Sequence, residues 1–145
     1  MKLCLNKFYL FVAGLTMLLV GSFIALTPNE YLMSMGAQPD QAFSSGLPQG
    51  YVASTNLISD LRGMGGMLLF IGTYVFISTF KAAWRHPALL ISTLVYSAFV
   101  VFRTTGFIFE GFPSMGILTA YFIELVIALI GLFLMKTKKR ELAGV

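Results

Sequence analysis

The sequence predicts an all-α fold, a four-helix transmembrane bundle with a long outer loop after the first helix. Of the 145 residues, 57% are hydrophobic and only 11% are charged, whereas soluble domains carry about 25% charged residues. Four apolar stretches are long enough for a hydrocarbon core of about 30 Å, which a helix of roughly 20 residues spans. A single segment in lipid must satisfy its own backbone hydrogen bonds, so each stretch is predicted to be helical.

The predicted spans form a single integral membrane domain over residues 1–145. They cover about residues 8–26, 61–80, 87–109 and 113–135. The first ends at Thr27-Pro28, and the third begins at Pro87, which suits a first helical turn. An alternative for the first span is a cleaved signal peptide, but its apolar run exceeds the usual core of about 7–15 residues, which favours a retained helix.

Basic residues predict the orientation of these spans. With four spans, both termini and the turn at 81–86 lie on one side, and that side holds eight of the ten basic residues: Lys2, Lys7, Lys81, Arg85, Lys136, Lys138, Lys139 and Arg140. The positive-inside rule therefore predicts a multi-pass protein of the bacterial cytoplasmic (inner) membrane with both termini in the cytoplasm. The run 136–140 is expected to anchor the last helix, with binding of anionic lipid headgroups as the alternative.

The connection over residues 27–59 is the only long one. Pro28, Pro39 and Pro48 interrupt it, and it contains two weakly apolar pieces around residues 31–35 and 51–57. A structureless loop of this length is uncommon in a compact domain. We therefore expect one or two short helices at the outer membrane surface, covering the mouth of the bundle.

Composition excludes several kinds of site. Cys4 and His86 are the only residues of their types, so one chain cannot form a disulfide, a cysteine zinc site or a two-histidine haem site. The net charge of +4 comes from clusters at the ends of the spans and not from a basic groove, so no nucleic-acid partner is predicted. No catalytic residue, metal site or cofactor is predicted, and an enzyme is the least favoured class.

Three charged residues lie within the predicted spans, where an unpaired charge costs a few kcal/mol: Arg62, Arg103 and Glu124. Glu124 lies on a helix face of small residues that also contains Gly116, Ala120, Ala128 and Gly131. Small residues at this spacing let membrane helices approach closely, so Glu124 is predicted to face the bundle interior.

Arg103 is the predicted partner of Glu124. It shares a face of the third span with Ser92, Tyr96, Phe99 and Gly106. The axial offset between the two charges is roughly 7 Å at about 1.5 Å per residue, which two long side chains can bridge. Such a pair can be bidentate and keeps both groups ionised.

Arg62 opens the second span beside Asp60. A positive charge at the N-terminus of a helix is unfavourable, because that end of the helix dipole is also positive. Arg62 is therefore predicted to have a specific acidic partner, with Asp60, Glu110 and Glu124 as the candidates. The glycines that follow it, at 63, 65, 66 and 72, predict close helix packing. The candidate site therefore consists of Arg62, Arg103 and Glu124, with Asp60, Tyr96 and Glu110 as secondary candidates.

Three roles are open for this cluster: a structural ion network, a pocket for a polar or anionic headgroup, and proton or ion coupling through Glu124. The leading function is a non-enzymatic accessory or interaction protein whose partners are the lipid bilayer and a membrane protein or a second copy of the chain. The first alternative is a binder of a lipid headgroup, quinone or other amphipathic small molecule in an outer-half pocket. The second is an oligomeric proton-coupled transporter.

Several short motifs resemble one bacterial family. They are the run Asp60-Leu61-Arg62-Gly63-Met64-Gly65-Gly66, Trp84-Arg85 with Pro87-Ala88-Leu89-Leu90, Arg103 with Gly106, Gly111 with Pro113, and Glu124. The pattern, over roughly residues 8 to 135, is similar to the domain of unknown function 4345 family, whose members resemble four-helix membrane proteins and the DoxX-like group. This resemblance supports Arg62, Arg103 and Glu124 as candidates and implies no activity.

Overall fold

The structure, a computed structural model, describes residues 2–34 and 55–143, and these form five α-helices. They are α1 (Lys2–Leu26), α2 (Pro28–Ser34), α3 (Thr55–Ser78), α4 (Arg85–Glu110) and α5 (Met115–Ala143), with one 3-10 turn (Ala82–Trp84) before α4. All except α2 are long and apolar enough to cross a membrane. The predicted all-α class with four candidate spans is therefore confirmed.

The predicted long loop is only partly described. Its first part forms α2, which follows α1 after Thr27 alone, with Pro28 at its first position, where the missing N–H costs nothing. Its last part belongs to α3, which begins at Thr55, before the expected start at residue 61. Residues 35–54 lie outside the described part of the chain, so a long outer loop stays a prediction.

The two other connections are short. Residues 79–84 join α3 to α4, and residues 111–114 join α4 to α5. Gly111 follows the last residue of α4 with a φ of 96°, a conformation that glycine adopts without the steric cost other residues incur. These short turns place α3, α4 and α5 antiparallel to one another in sequence order.

Helices α1 and α3 form a tight antiparallel pair along most of their length. Gly14 and Gly21 of α1 and Gly65 and Gly72 of α3 lie at the contact: a Cβ added at Gly14 would lie 2.6 Å from the backbone nitrogen of Phe76. At this spacing the two backbones touch, because no side chain separates them. Of the four α3 glycines predicted to allow close packing, Gly65 and Gly72 contact α1 closely. At Gly63 and Gly66, an added Cβ would have no atom within 4 Å.

Helices α4 and α5 form the second antiparallel pair, and buried hydroxyl groups join it to α1. The Ser92 hydroxyl of α4 donates to the Tyr9 hydroxyl of α1 at 3.4 Å, and the Thr93 hydroxyl lies 3.4 Å from the same oxygen. One helical turn further along, the Tyr96 hydroxyl donates to the Ala13 carbonyl at 2.8 Å. These contacts fasten the two pairs together near the N-terminal half of α1.

Gly131 of α5 lies directly against these hydroxyl groups, and a Cβ there would collide with Thr93 Oγ1 and Tyr9 OH. We expect Gly131→Ala to lower the free energy of unfolding by about 1–3 kcal/mol, the usual cost of overpacking a filled interior. Chemical unfolding in detergent, followed by circular dichroism, measures this. Gly106→Ala is the matched control, because nothing lies within 4 Å of a Cβ at Gly106. Equal losses in both variants would contradict the prediction.

One end of the bundle contains the end of α1, all of α2, the start of α3, the end of α4 and the start of α5. We call it the α2 end. The predicted interior charges lie toward this end, whereas exposed Lys7, Lys81 and Lys136 lie toward the opposite one. The hydroxyl contacts among Tyr9, Ser92 and Thr93 lie toward the end of the bundle opposite the α2 end.

Candidate functional site

Arg103 and Glu124 meet between α4 and α5. The Arg103 Nε atom lies 2.8 Å from Glu124 Oε2, and Nη2 donates a hydrogen bond to Oε1 at 3.2 Å. The side chains are 22% and 14% exposed. Both carboxylate oxygens therefore face one guanidinium group, and the opposite charges offset each other in an apolar setting. Only the contact from Nη2 has hydrogen-bond geometry, whereas Nε and Oε2 are close without forming a hydrogen bond.

Local packing fixes the position of each partner. The Arg103 guanidinium carbon lies 5.9 Å from the centre of the Phe99 ring, one turn earlier on α4, a distance that allows a cation–π contact. Next to the pair along the two helices, the hydroxyls of Thr104 of α4 and Tyr121 of α5 lie 3.2 Å apart. The Tyr121 ring also packs edge-on against Phe107 at 5.1 Å. These contacts set the antiparallel register of α4 and α5 in which the two charges face each other.

The ion pair lies in the wall of a cavity of about 450 Å³ in the half of the bundle toward the α2 end. Every helix contributes to the wall, which consists of Thr16, Met17, Val20, Phe23 and Ile24 of α1, Tyr31 of α2, Met64 and Leu68 of α3, Tyr96, Phe99, Phe102 and Arg103 of α4, and Ala120, Ile123 and Glu124 of α5. The volume lies within the range of about 300–1,000 Å³ typical of small-molecule sites. The wall is thus mostly apolar, with its two charges in one place.

Tyr96, a secondary candidate, lies in the cavity wall, but its hydroxyl is already used. The residue is 3% exposed, and its hydroxyl donates to the Ala13 carbonyl. Its ring is therefore available to the cavity, while its polar group connects α4 to α1. The Thr16 hydroxyl likewise donates to the Val12 carbonyl of its own helix at 2.9 Å.

The structure does not bring Arg62 to the ion pair. Arg62 is exposed and is not in the cavity wall, and it has no ion pair with any side chain that the structure describes. The reason is its position on α3, whose buried face carries Leu61, Gly65 and Leu68. Arg62 follows Leu61 and so projects about 100° away from that face, since a turn takes about 3.6 residues. The predicted three-residue cluster is a pair in the described structure.

The other secondary candidates do not contribute described side chains to the cavity. Asp60 is exposed on α3 and is not in the wall. Glu110 is the last residue of α4, and its side chain lies outside what the structure describes. A role for either residue stays a prediction.

The sequence reasoning missed the part of the wall that α1 supplies. Residues such as Met17, Val20 and Ile24 belong to an uninterrupted apolar run, in which no charge or proline distinguishes a cavity-facing position from a lipid-facing one. Gly14 and Gly21, seven residues apart, are the one signal that marks the face of α1 turned toward α3. Tyr31 belongs to the weakly apolar piece that the sequence places over the mouth of the bundle, and its ring packs edge-on against Phe23 at 6.1 Å.

The chemistry available here is recognition of a molecule with one polar end. A cavity with mostly apolar walls favours a hydrocarbon group, because each buried CH₂ contributes about 0.8 kcal/mol. A polar group is tolerated only where it finds a hydrogen-bonding partner. In this wall, Arg103 and Glu124 are the charged partners.

A protein-family model described as Domain of unknown function (DUF4345) matches residues 5–135. A comparison with curated proteins finds no match, and neither does a comparison with solved structures. The matched range contains both charges of the ion pair and the whole cavity wall. The further likeness to the DoxX-like group stays a prediction.

Proposed function

The chain belongs to the family described as Domain of unknown function (DUF4345), and we propose that it binds one amphipathic small molecule inside its helix bundle. The polar end of the ligand lies against Arg103 and Glu124, and its apolar part lies along the remaining wall of the cavity. This is the first of the alternatives that the sequence raised, and it does not require chemical conversion of the ligand.

One observation carries the proposal: an ion pair borders a mostly apolar cavity of about 450 Å³. A purely structural ion pair is best enclosed by packed side chains, because an apolar void beside it gives up dispersion contacts. Here the void adjoins the pair, and the 22% exposure of the Arg103 side chain leaves part of it open to contact. A site for a bound molecule accounts for the pair and the void together.

The proposed setting is the bacterial inner membrane, with both termini in the cytoplasm. Four membrane-capable helices support a multi-pass protein. The exposed Lys7, Lys81 and Lys136 at the end opposite α2 support the orientation, because basic residues are enriched on the cytoplasmic side. In this orientation the cavity lies in the outer half of the bilayer.

The accessory and transport roles stay predictions. The many exposed apolar side chains on α4 and α5 are what contact with lipid alone requires, so they do not favour a protein partner or a second copy. Coupling through Glu124 finds no specific support either, since Arg103 engages both of its carboxylate oxygens.

We expect the protein purified in mild detergent to retain one amphipathic molecule, detected as a mass increase by native mass spectrometry. Ala120→Phe should abolish most of that signal, because Ala120 lines the cavity and a phenyl ring would project into it. The matched control is Ala98→Phe, which adds the same ring at an exposed position on α4 outside the cavity wall. An empty native protein, or equal retention by both variants, would overturn the proposal.

A further inference from the structure

The charge balance of the site restricts the kind of head group it can take. The guanidinium of Arg103 is matched by the carboxylate of Glu124, with contacts at 2.8 and 3.2 Å. No other charged side chain is present in the cavity wall that the described residues form. An anionic head placed beside Arg103 would therefore also approach the Glu124 carboxylate, and like charges in an apolar setting repel strongly.

Arg103 has hydrogen-bonding capacity left over after this pairing. A guanidinium has five N–H donors on three nitrogen atoms. Nη2 donates to Glu124, and Nε lies 2.8 Å from Oε2 without a hydrogen bond. Among the side chains and backbone groups that the structure describes, none accepts a hydrogen bond from Nη1. An uncharged oxygen can accept from Nη1 without displacing Glu124, whereas a carboxylate or phosphate would compete for the whole guanidinium.

Parts of the cavity wall are also exposed on the outside of the bundle. Each of the four long helices has an exposed lining residue: Val20 of α1 (42%), Met64 of α3 (39%), Phe102 of α4 (74%) and Ile123 of α5 (49%). In a bilayer these exposed side chains face acyl chains, so an apolar ligand can reach the cavity without crossing water.

We infer that the ligand is an uncharged, single-chain amphiphile from the lipid phase, whose head oxygen accepts a hydrogen bond from Arg103 Nη1. Its chain lies along Met17, Val20 and Leu68, in the apolar part of the wall. A single chain suits a volume of about 450 Å³, which is in the lower half of the usual range of about 300–1,000 Å³. This inference rests on the proposed function, since it names the class of molecule for the same site.

Two probes with the same chain and different head charges test the inference. The full chain, reconstituted in phosphatidylcholine nanodiscs, is titrated with radiolabelled 1-oleoylglycerol, which is neutral, and with oleyl sulfate, which stays anionic. We expect 1-oleoylglycerol to bind at least about tenfold more tightly, because a like-charge contact costs more than the 1.4 kcal/mol that a factor of ten represents. Glu124→Gln should shift the affinity ratio about tenfold toward oleyl sulfate, since Arg103 is then unpaired.

The possible results distinguish a failure of the neutral head group from a failure of the cavity as a binding site. Native protein that binds oleyl sulfate as tightly as 1-oleoylglycerol, with binding lost in Ala120→Phe, overturns the neutral head group and leaves the cavity as a binding site. Native protein that binds neither probe and copurifies with no molecule overturns both. The comparison of the two probes on native protein needs no variant, so it stands even if Glu124→Gln does not fold.

Discussion

Replacing Arg103 with methionine is expected to lower the free energy of unfolding by about 2–4 kcal/mol, less than the roughly 3–5 kcal/mol for a fully buried ion pair, because this pair is partly exposed. The Glu124 side chain is 14% exposed in the native protein, and in the variant its carboxylate would lie among apolar side chains with no counter-charge. Methionine keeps much of the length and apolar volume of the arginine stem, so the loss reports the charge and not a cavity. Equilibrium unfolding in detergent, followed by circular dichroism, gives the value.

The double variant Arg103→Met with Glu124→Met should be more stable than Arg103→Met alone. Removing both charges eliminates the uncompensated carboxylate, so the two effects are not additive. Arg62→Met is the matched control: Arg62 is exposed and has no ion pair in the described residues, so a change within about 0.5 kcal/mol is expected. A loss from Arg62→Met equal to that from Arg103→Met would contradict the distinction drawn between the two arginines.

The second large effect is expected at the contact between α1 and α3. Gly21→Ala should lower the free energy of unfolding by about 1–3 kcal/mol. A Cβ at Gly21 would lie 2.6 Å from the Leu69 backbone nitrogen and 2.9 Å from the Gly65 carbonyl oxygen. Both atoms belong to the backbone of α3, so no side chain can rotate to make room. The two helices must separate along their length, which loses dispersion contacts at every turn.

Gly66→Ala is the matched control for Gly21→Ala. Gly66 lies on the same pair of helices, but nothing lies within 4 Å of a Cβ there. Alanine also has a better helix propensity than glycine by about 0.8–1.0 kcal/mol, so this variant should be neutral or slightly more stable. Both are measured by the same unfolding experiment. If Gly21→Ala and Gly66→Ala have the same effect, close backbone contact does not hold α1 against α3.

Sequence reasoning predicted the ion pair and raised an outer-half pocket as an alternative, but it did not identify the part of the cavity wall that α1 supplies. Arg103 and Glu124 are detectable because charges are rare in lipid and because each lies on a helix face with a recognisable pattern. The same reasoning grouped Arg62 with them from its position near the start of a span. It had no means to tell that Leu61, one residue earlier, takes the buried position on α3.

Local chain properties determined the elements of this protein. Four long apolar segments separated by prolines, glycines and charges must become membrane-length helices, because the backbone cannot leave its polar groups unpaired in lipid. Only the tertiary structure decided which helices pack against each other and where a cavity remains between them. The four glycines of α1 and α3 bring two backbones into contact, and the hydroxyls of Tyr9, Ser92 and Thr93 join the pairs at one level. The space left toward α2 depends on all the helices at once, so no single segment encodes it.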